Sequence, residues 1–159
     1  MQQFFSSFRQ IISVERFESY RRSDTEEDID ILACYLWNLA LCEALYPCLQ
    51  GLEVALRNSI NIAATEAFGN HHWFDCPSIL KSREQAKVAD VKARLRQKPG
   101  PINIGRVVAE LNFGFWTSLL DARYEQILWP KLLKPAFPHM PNRLRTRKAL
   151  SGRLNHIRY

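Results

Sequence analysis

The chain has neither a Gly-rich phosphate-binding loop nor the nucleophile elbow of a serine hydrolase. It also lacks internal repeats, low-complexity tracts and the alternation of apolar and polar residues that is typical of β-strands. These absences exclude common nucleotide-hydrolase motifs and a strand-based architecture. Apolar residues recur instead with helical periodicity, so the sequence predicts an all-α protein. Its 159 residues and 47% hydrophobic content suit a single domain with one core.

The cysteines lack the short paired spacing of a metal site or a disulfide framework; they are Cys34, Cys42, Cys48 and Cys76. Cys34 and Cys42 lie eight residues apart on one predicted helix, too far to bridge, which favours free thiols in a reducing cytoplasm. His71, His72 and Cys76 offer three ligands at irregular spacing, whereas structural zinc takes four. We therefore expect no metal and no other cofactor.

The most apolar stretch, Ile31–Leu49, is interrupted by Asn38 and Glu43 and then meets Pro47. These polar residues favour a buried helix over a membrane span, and Pro47 is expected to kink or break that helix. Near the N-terminus Arg9 is the one basic residue, and no cleavage-like segment follows, so no secretory signal is indicated. The sequence predicts a cytoplasmic protein without a membrane partner.

Helix start and stop signals predict several segments, among them Gln2–Ile12, a helix capped by Ser13, a basic helix Ser82–Gln97, Asn103–Leu120 and a final basic helix Asn142–Tyr159. Four aromatic residues in the second half follow helical spacing: Phe113, Phe115, Trp116 and Trp129. Such spacing is typical of a core more than of a surface that stacks bases.

An apolar series at steps of three and four predicts one buried helical face, made by Leu45, Leu49, Leu52, Leu56, Ile60 and Ala63. Glu53 and Arg57 stand one turn apart on an adjacent face, with Asn58 beside them. The order of acid before base suits a helical ion pair. An exposed salt bridge is one interpretation, and a central polar cluster in which Glu53 orients a partly buried Arg57 is the other.

Charge is divided unevenly along the chain. Residues 1–78 hold 5 Lys/Arg against 11 Asp/Glu, whereas residues 79–159 hold 17 against 5, and no acidic residue follows Glu125. A basic half of this kind attracts polyanions, or is a solvated face, or docks on the acidic stretch Glu26–Asp30. The RNA-binding candidates are Arg143, Arg145, Arg147, Lys148, Arg153 and Arg158.

Four segments occur in a characteristic order: Tyr35–Asn38, Leu56–Asn58, Leu111–Trp116 and Leu128–Pro130. In this order they resemble the Abi-like family, which acts in abortive infection and phage resistance and is similar to the HEPN superfamily of all-helical ribonucleases. The resemblance begins near Ser13–Phe17 and covers nearly the whole chain. It implies a multi-helix, HEPN-like bundle with residues 1–159 as one domain.

Members of that family carry an Arg-Asn-x-x-x-His motif beyond the segment equivalent to Leu154–Tyr159, and this motif supplies the catalytic arginine and histidine. The chain ends before it, and the nearest pair, Arg153 and His156, is too closely spaced. The resemblance therefore implies a domain truncated at its C-terminus.

Metal-free RNA cleavage requires a group that deprotonates the 2′-hydroxyl, an acid for the leaving oxygen and cations for the developing charge. In the resembled family the missing motif supplies these groups, usually from two subunits that face each other across a dimer cleft. The expected remaining shell consists of Glu53, Arg57 and Asn58 on the central helix and Asn155, His156 and Arg158 on the last one.

Two functions follow as hypotheses. The first is the scaffold of a HEPN-type, metal-independent ribonuclease from a phage-defence or toxin system, inactive in this form, with RNA, a homodimer partner and an antitoxin or other protein as expected partners. The second is a non-catalytic helical protein, such as a gene remnant, that binds nucleic acid or a protein partner. An in-frame continuation of the encoding DNA into the catalytic motif would support the first, and a stop codon the second.

Overall fold

A computed structural model describes residues 2–140 and 144–157. These residues form helices and no strand, which confirms the all-α prediction. The α-helices are α1 (Gln2–Ile12), α2 (Val14–Glu18), α3 (Asp28–Phe68), α4 (Ser82–Arg96), α5 (Ile104–Glu110), α6 (Phe113–Ser118), α7 (Lys134–Ala136) and α8 (Leu144–Ile157). The chain divides into two compact units, Met1–Gly51 and Leu52–Tyr159. The interpretation of residues 1–159 as one domain stays a prediction.

Unit 1 (Met1–Gly51) has a small aromatic core. Phe5, Phe17, Ile31 and Leu32 are buried, and aromatic rings of the same unit pack against them. Ser13 separates α1 from α2, and its hydroxyl accepts a hydrogen bond from the Arg16 N–H at 3.2 Å, so the predicted cap is confirmed.

Unit 2 (Leu52–Tyr159) has the larger core, to which α3, α4, α5, α6 and α8 contribute. Phe115, Trp116 and Trp129 are buried in it, and Phe113 packs against it, as the spacing of the aromatic residues predicts. The predicted helix Asn103–Leu120 is in fact two helices. Helix α5 ends at Glu110, and Asn112, which has an extended backbone, caps α6 by accepting from the Phe115 N–H.

Helix α3 continues across Pro47, so of the kink or break predicted at this residue the break is wrong. Pro47 has no N–H to donate to the carbonyl of Glu43, one turn earlier. Residues 39–52 are exposed on every side, so water can hydrate the carbonyl that the missing N–H leaves unpaired.

The predicted burial of α3 is correct only at its ends. Leu56, Ile60 and Ala63 are buried in unit 2, whereas Leu45, Leu49 and Leu52 keep 48%, 43% and 36% of their surface exposed. The expectation that the apolar stretch up to Leu49 is buried is therefore wrong. By length and composition alone α3 could cross a membrane. Core helices of soluble proteins meet the same criterion.

Candidate nucleic-acid-binding cleft

The polar residues predicted on the central helix lie close together but do not form the expected ion pair. Glu53 and Arg57 are both half-buried on α3, and no salt bridge joins them in the part of the chain that the structure describes. Arg57 Nε donates instead to Oδ1 of the exposed Asn58, at 3.3 Å. The Arg57 guanidinium bonds to the next residue, Asn58, and not to Glu53 one turn earlier, so Glu53 does not orient it. Their membership of a catalytic shell stays a prediction.

The C-terminal candidates are described only in part. Arg153 and His156 are exposed on α8. Three further candidates, Arg145, Arg147 and Lys148, lie within α8, but their side chains, with that of Asn155, fall outside what the structure describes. Arg143 and Arg158 lie outside the described residues. Binding of RNA by this helix therefore stays a prediction.

The residues weighed as zinc ligands do not converge. His71 and His72 are exposed, and the Sγ atom of the half-buried Cys76 lies 3.8 Å from the Nδ2 donor of Asn70. Among the described residues, no three His, Cys, Asp or Glu side chains are grouped as metal ligands would be.

A cationic cleft lies beside α4 in unit 2. It has a volume of 420 Å³ and is lined by His72, Phe74, Lys92, Arg96, Ile102, Asn103, Ile104 and Val107. We call it the α4 cleft. A second pocket of 300 Å³ shares Phe74, Lys92 and Arg96 with the α4 cleft, so these residues line both.

The helical period of α4 places its cations at the α4 cleft. Val88, Val91 and Leu95 face the core of unit 2. Lys92 and Arg96 are one turn apart on the helix, beside that buried face, and both therefore line the α4 cleft. Across it, Asn103 caps α5 by accepting from the Arg106 N–H at 2.9 Å.

The charges in the α4 cleft are only partly compensated. Lys92 Nζ lies 2.5 Å from Oδ1 of Asp75 and 5.5 Å from the centroid of the Phe74 ring. The same carboxylate lies 3.6 Å from Nδ1 of His72. Arg96 is exposed and has no ion pair within the described ranges 2–140 and 144–157. The α4 cleft therefore combines an apolar floor with one uncompensated cation at its rim.

Sequence reasoning did not find the α4 cleft. The sequence predicts a basic helix over Ser82–Gln97 but does not single out Lys92 or Arg96. Nothing in the sequence showed that Phe74 and Ile102, far apart in the chain, lie beside that side. His72 was considered only as a zinc ligand.

A buried ionic cluster in unit 2 also escaped the sequence analysis. Glu84, in the first turn of α4, is fully buried. Its Oε2 accepts from Tyr124 Oη at 2.6 Å and its Oε1 from Arg123 Nη2 at 2.7 Å. Tyr124 Oη in turn accepts from the Lys81 N–H at 2.9 Å. The cluster connects the start of α4 to the turn at Ala122–Tyr124, so its role is structural.

Burial, and next the hydrogen bond to Glu84, raise the pKa of Tyr124 above its ordinary value of about 10. The folded state therefore holds this proton more tightly than the unfolded state does. The resulting stability is fully present below about pH 10 and is lost as the pH rises from there toward the raised pKa of Tyr124.

We therefore expect Tyr124→Phe to weaken the alkaline loss of stability. Urea unfolding at pH 8, 9, 10 and 11 should give a shallower decline in the free energy of unfolding for the variant than for the parent. The variant should also be less stable at neutral pH, because Glu84 loses a donor. Tyr46→Phe, at an exposed tyrosine, is the control and should keep the parent's slope. Equal slopes for all three proteins would contradict the prediction.

Comparisons with known proteins identify no family for this chain. No protein-family model matches it, and neither a curated protein nor a solved structure shows significant similarity to it. Membership of the Abi-like family therefore stays a prediction.

Proposed function

We propose that this chain is the RNA-binding scaffold of a HEPN-type ribonuclease from a phage-defence or toxin system and does not cleave RNA in this form. The observation that supports binding is the α4 cleft, where the unpaired Arg96 and the aromatic floor at Phe74 lie together. The Abi-like resemblance supports the choice of RNA. The proposed role in phage defence rests on that resemblance. The expected cytoplasmic location rests on the free cysteines.

The dimensions and chemistry of the α4 cleft suit a nucleotide unit of single-stranded RNA. Its 420 Å³ falls within the range of about 300–1,000 Å³ that is usual for small-ligand pockets. Its aliphatic residues, Ile102, Ile104 and Val107, offer a surface for a base. The guanidinium of Arg96 is a planar donor that matches a phosphate group.

We expect the described residues not to cleave RNA by themselves. Cleavage without a metal needs a general base and a general acid, each typically worth 10²–10⁴-fold in rate. His156 is exposed on α8, and His72 lies beside a carboxylate already held by Lys92. His72 is the one histidine among the described residues that line the α4 cleft, so that cleft offers no second histidine to act as the general acid.

We expect purified chain to bind single-stranded RNA with an affinity that falls steeply with salt, and to leave the RNA intact. If Lys92 and Arg96 neutralise two phosphates and the cations of α8 about two more, the slope of log K against log salt should be near −3, at about −0.7 per phosphate. Lys92→Glu/Arg96→Glu should bring the slope to about half that value. Fluorescence anisotropy measures the affinity, and gel electrophoresis of the same samples detects cleavage.

The control has the same change of charge on the other side of α4. Arg83→Glu/Arg94→Glu replaces two exposed arginines of that helix and should leave binding nearly unchanged at 150 mM salt. An Arg145→Glu/Lys148→Glu variant tests α8 in the same assay. Loss of binding in this variant alone would move the site to α8, and RNA cleavage abolished by His156→Ala would overturn the proposed inactivity.

A further inference from the structure

The second pocket beside α4 has a chemistry of its own. It has a volume of 300 Å³ and shares Phe74, Lys92 and Arg96 with the α4 cleft. We call it the Gln85 pocket, after a residue that lines it and does not line the α4 cleft. The proposed function uses the shared residues alone, so the other residues of the Gln85 pocket have no role in it.

The side-chain amide of Gln85 has a fixed orientation. Its Nε2 donates to the carbonyl of Pro77 at 3.2 Å and to the carbonyl of Leu80 at 2.9 Å. The reverse orientation would place the amide oxygen against two carbonyl oxygens, so it is excluded. Because both hydrogens of Nε2 are used in this way, the group that Gln85 can offer to a ligand is Oε1, which accepts a hydrogen bond.

Asp75 brings a second acceptor to the Gln85 pocket. Its Oδ1 lies 2.5 Å from Lys92 Nζ, and its Oδ2 lies 3.6 Å from Nδ1 of His72, which is beyond hydrogen-bond distance. The Asp75 side chain keeps 38% of its surface exposed, so a ligand can reach it. A carboxylate has about four lone-pair sites and can therefore accept from a ligand while it still holds Lys92.

The rest of the Gln85 pocket is apolar at one part and cationic at another. Phe74, Pro77, Val88 and Ala89 supply the apolar wall, and the shared Lys92 and Arg96 supply the cations. A nucleotide has the complementary groups, because its base is a flat ring with hydrogen-bonding edges and its phosphate is an anion. Proteins bind the bases of single-stranded RNA through both the ring face and the edges.

We propose that the Gln85 pocket binds the base next to the one in the α4 cleft, and that it selects a base with an exocyclic amino group over uracil. This inference rests on the proposed function, because it requires an RNA strand in the α4 cleft. The phosphate between the two nucleotides then lies at Lys92 and Arg96, which line both pockets.

The two acceptors distinguish the bases by their edges. The amino group of cytosine donates hydrogen bonds, and an acidic side chain is a common acceptor for it. Uracil, like thymine, has the acceptor O4 at the same position. The N3–H of uracil is a donor, but it lies between O2 and O4, so these oxygens would approach the acceptor atoms of Asp75 and Gln85. Two acceptors that face each other leave both unpaired, which is unfavourable.

Binding of two RNA 12-mers, oligocytidylate and oligouridylate, to the full chain is the test. Both carry the same number of phosphates, so they share the electrostatic part of the affinity and differ in the edge of the base. We expect oligocytidylate to bind about tenfold more tightly at pH 7.5 and 150 mM salt, which is within the discrimination that a good base contact gives. Fluorescence anisotropy measures both affinities.

Two variants test the acceptors. Asp75→Asn replaces one carboxylate oxygen with an amide donor, and Gln85→Met keeps the length of the side chain but removes Oε1. Each should reduce the preference for oligocytidylate to about threefold or less. Asp75→Asn should also raise the affinity for both oligomers, because Lys92 loses the carboxylate that neutralises it. The ratio of the two affinities is therefore the measure of base selection, and circular dichroism checks that the variants stay helical.

Two controls keep the Gln85 pocket intact. Asp90→Asn makes the same change of charge at an exposed carboxylate of α4 that lines neither pocket, and it should keep the tenfold preference. Ile102→Ala shortens a side chain that lines the α4 cleft and does not line the Gln85 pocket. This variant should weaken the binding of both oligomers and leave their ratio unchanged.

Equal affinity of the parent chain for the two oligomers would overturn the base selection. So would a preference that survives both Asp75→Asn and Gln85→Met. In either case RNA binding at the α4 cleft still stands if Lys92→Glu/Arg96→Glu weakens the binding of both oligomers. Failure of both oligomers to bind, or binding that this double variant leaves unchanged, would instead overturn RNA binding at the α4 cleft and the base selection with it.

Discussion

Glu84→Ala is expected to lower the free energy of unfolding by about 3 kcal/mol. The substitution removes the carboxylate that accepts from Tyr124 and Arg123 and leaves a buried hydroxyl without its acceptor. Loss of one partner of a buried charged pair typically costs about 3–5 kcal/mol, and Arg123 is one-third exposed, which places the expected value at the low end. Urea unfolding at pH 7, followed by circular dichroism, measures the change.

Two further variants test whether the loss of stability comes from the burial of the Glu84 charge or from the removal of any carboxylate from α4. Asp90→Ala removes an exposed carboxylate from the same helix and should cost less than about 0.5 kcal/mol. Glu84→Gln keeps an oxygen that can accept from Tyr124 but removes the charge that pairs with Arg123, so its cost should fall between the other two. A cost for Glu84→Ala no larger than that for Asp90→Ala would show that the cluster is not buried in solution.

Local sequence signals predicted the local structure well. Ser13 is a cap by residue type and position. The helix predicted from a cap at Ser82 to Gln97 matches α4 to within a residue, but the cap itself is wrong, because the N-cap is Lys81 and Ser82 is the first helical residue. A cap depends on contacts two or three residues away, so nearby sequence determines it. The same logic explains Asn112, whose type permits a cap inside a predicted helix and whose role was missed.

Burial along α3 depends on distant parts of the chain and was predicted less well. The apolar series from Leu45 to Ala63 identifies the side of the helix that must avoid water, and its last members are indeed buried. Periodicity contains no information about which element covers a given turn. Sequence reasoning therefore extended the burial of Ile60 to Leu45, where the structure shows an exposed surface.

The Glu84 cluster and the α4 cleft were unpredictable for the same reason. Tyr124 lies 40 residues from Glu84, and an acidic residue in the first turn of a helix is usually explained by the helix dipole. In the α4 cleft, the cations come from one helix and the apolar floor from other segments. Chemistry of this kind is visible only once tertiary contacts bring the residues together.

Two of the four segments that carry the family resemblance, Leu111–Trp116 and Leu128–Pro130, consist mainly of packing residues, whereas Leu36 and Trp37 of the first segment are exposed. Leu111, Trp116, Leu128 and Trp129 are all buried in the core of unit 2. Residues of this kind specify a fold and do not perform a reaction. The resemblance therefore bears more directly on architecture than on ribonuclease activity.

Trp116→Ala is expected to produce the other large loss of stability, about 3–5 kcal/mol, because it empties a large volume in the core of unit 2. The Trp116 side chain is fully buried, and its ring centroid lies 5.1 Å from that of Phe115 and 6.4 Å from that of Trp73. Its Nε1 also donates to the Leu111 carbonyl at 3.0 Å. For a chain of this length the melting temperature should fall by roughly 10 °C.

Trp116→Phe separates the contribution of the aromatic ring to stability from that of the Nε1 hydrogen bond. Phenylalanine refills most of the volume but leaves the Leu111 carbonyl without its donor, so this variant should lose less stability than Trp116→Ala and more than a conservative surface change. Differential scanning calorimetry of the three proteins at one concentration gives the order of melting temperatures. An unchanged melting temperature for Trp116→Ala would mean that this side chain does not support the core, and an alanine variant as stable as the phenylalanine variant would mean that the cavity closes without cost.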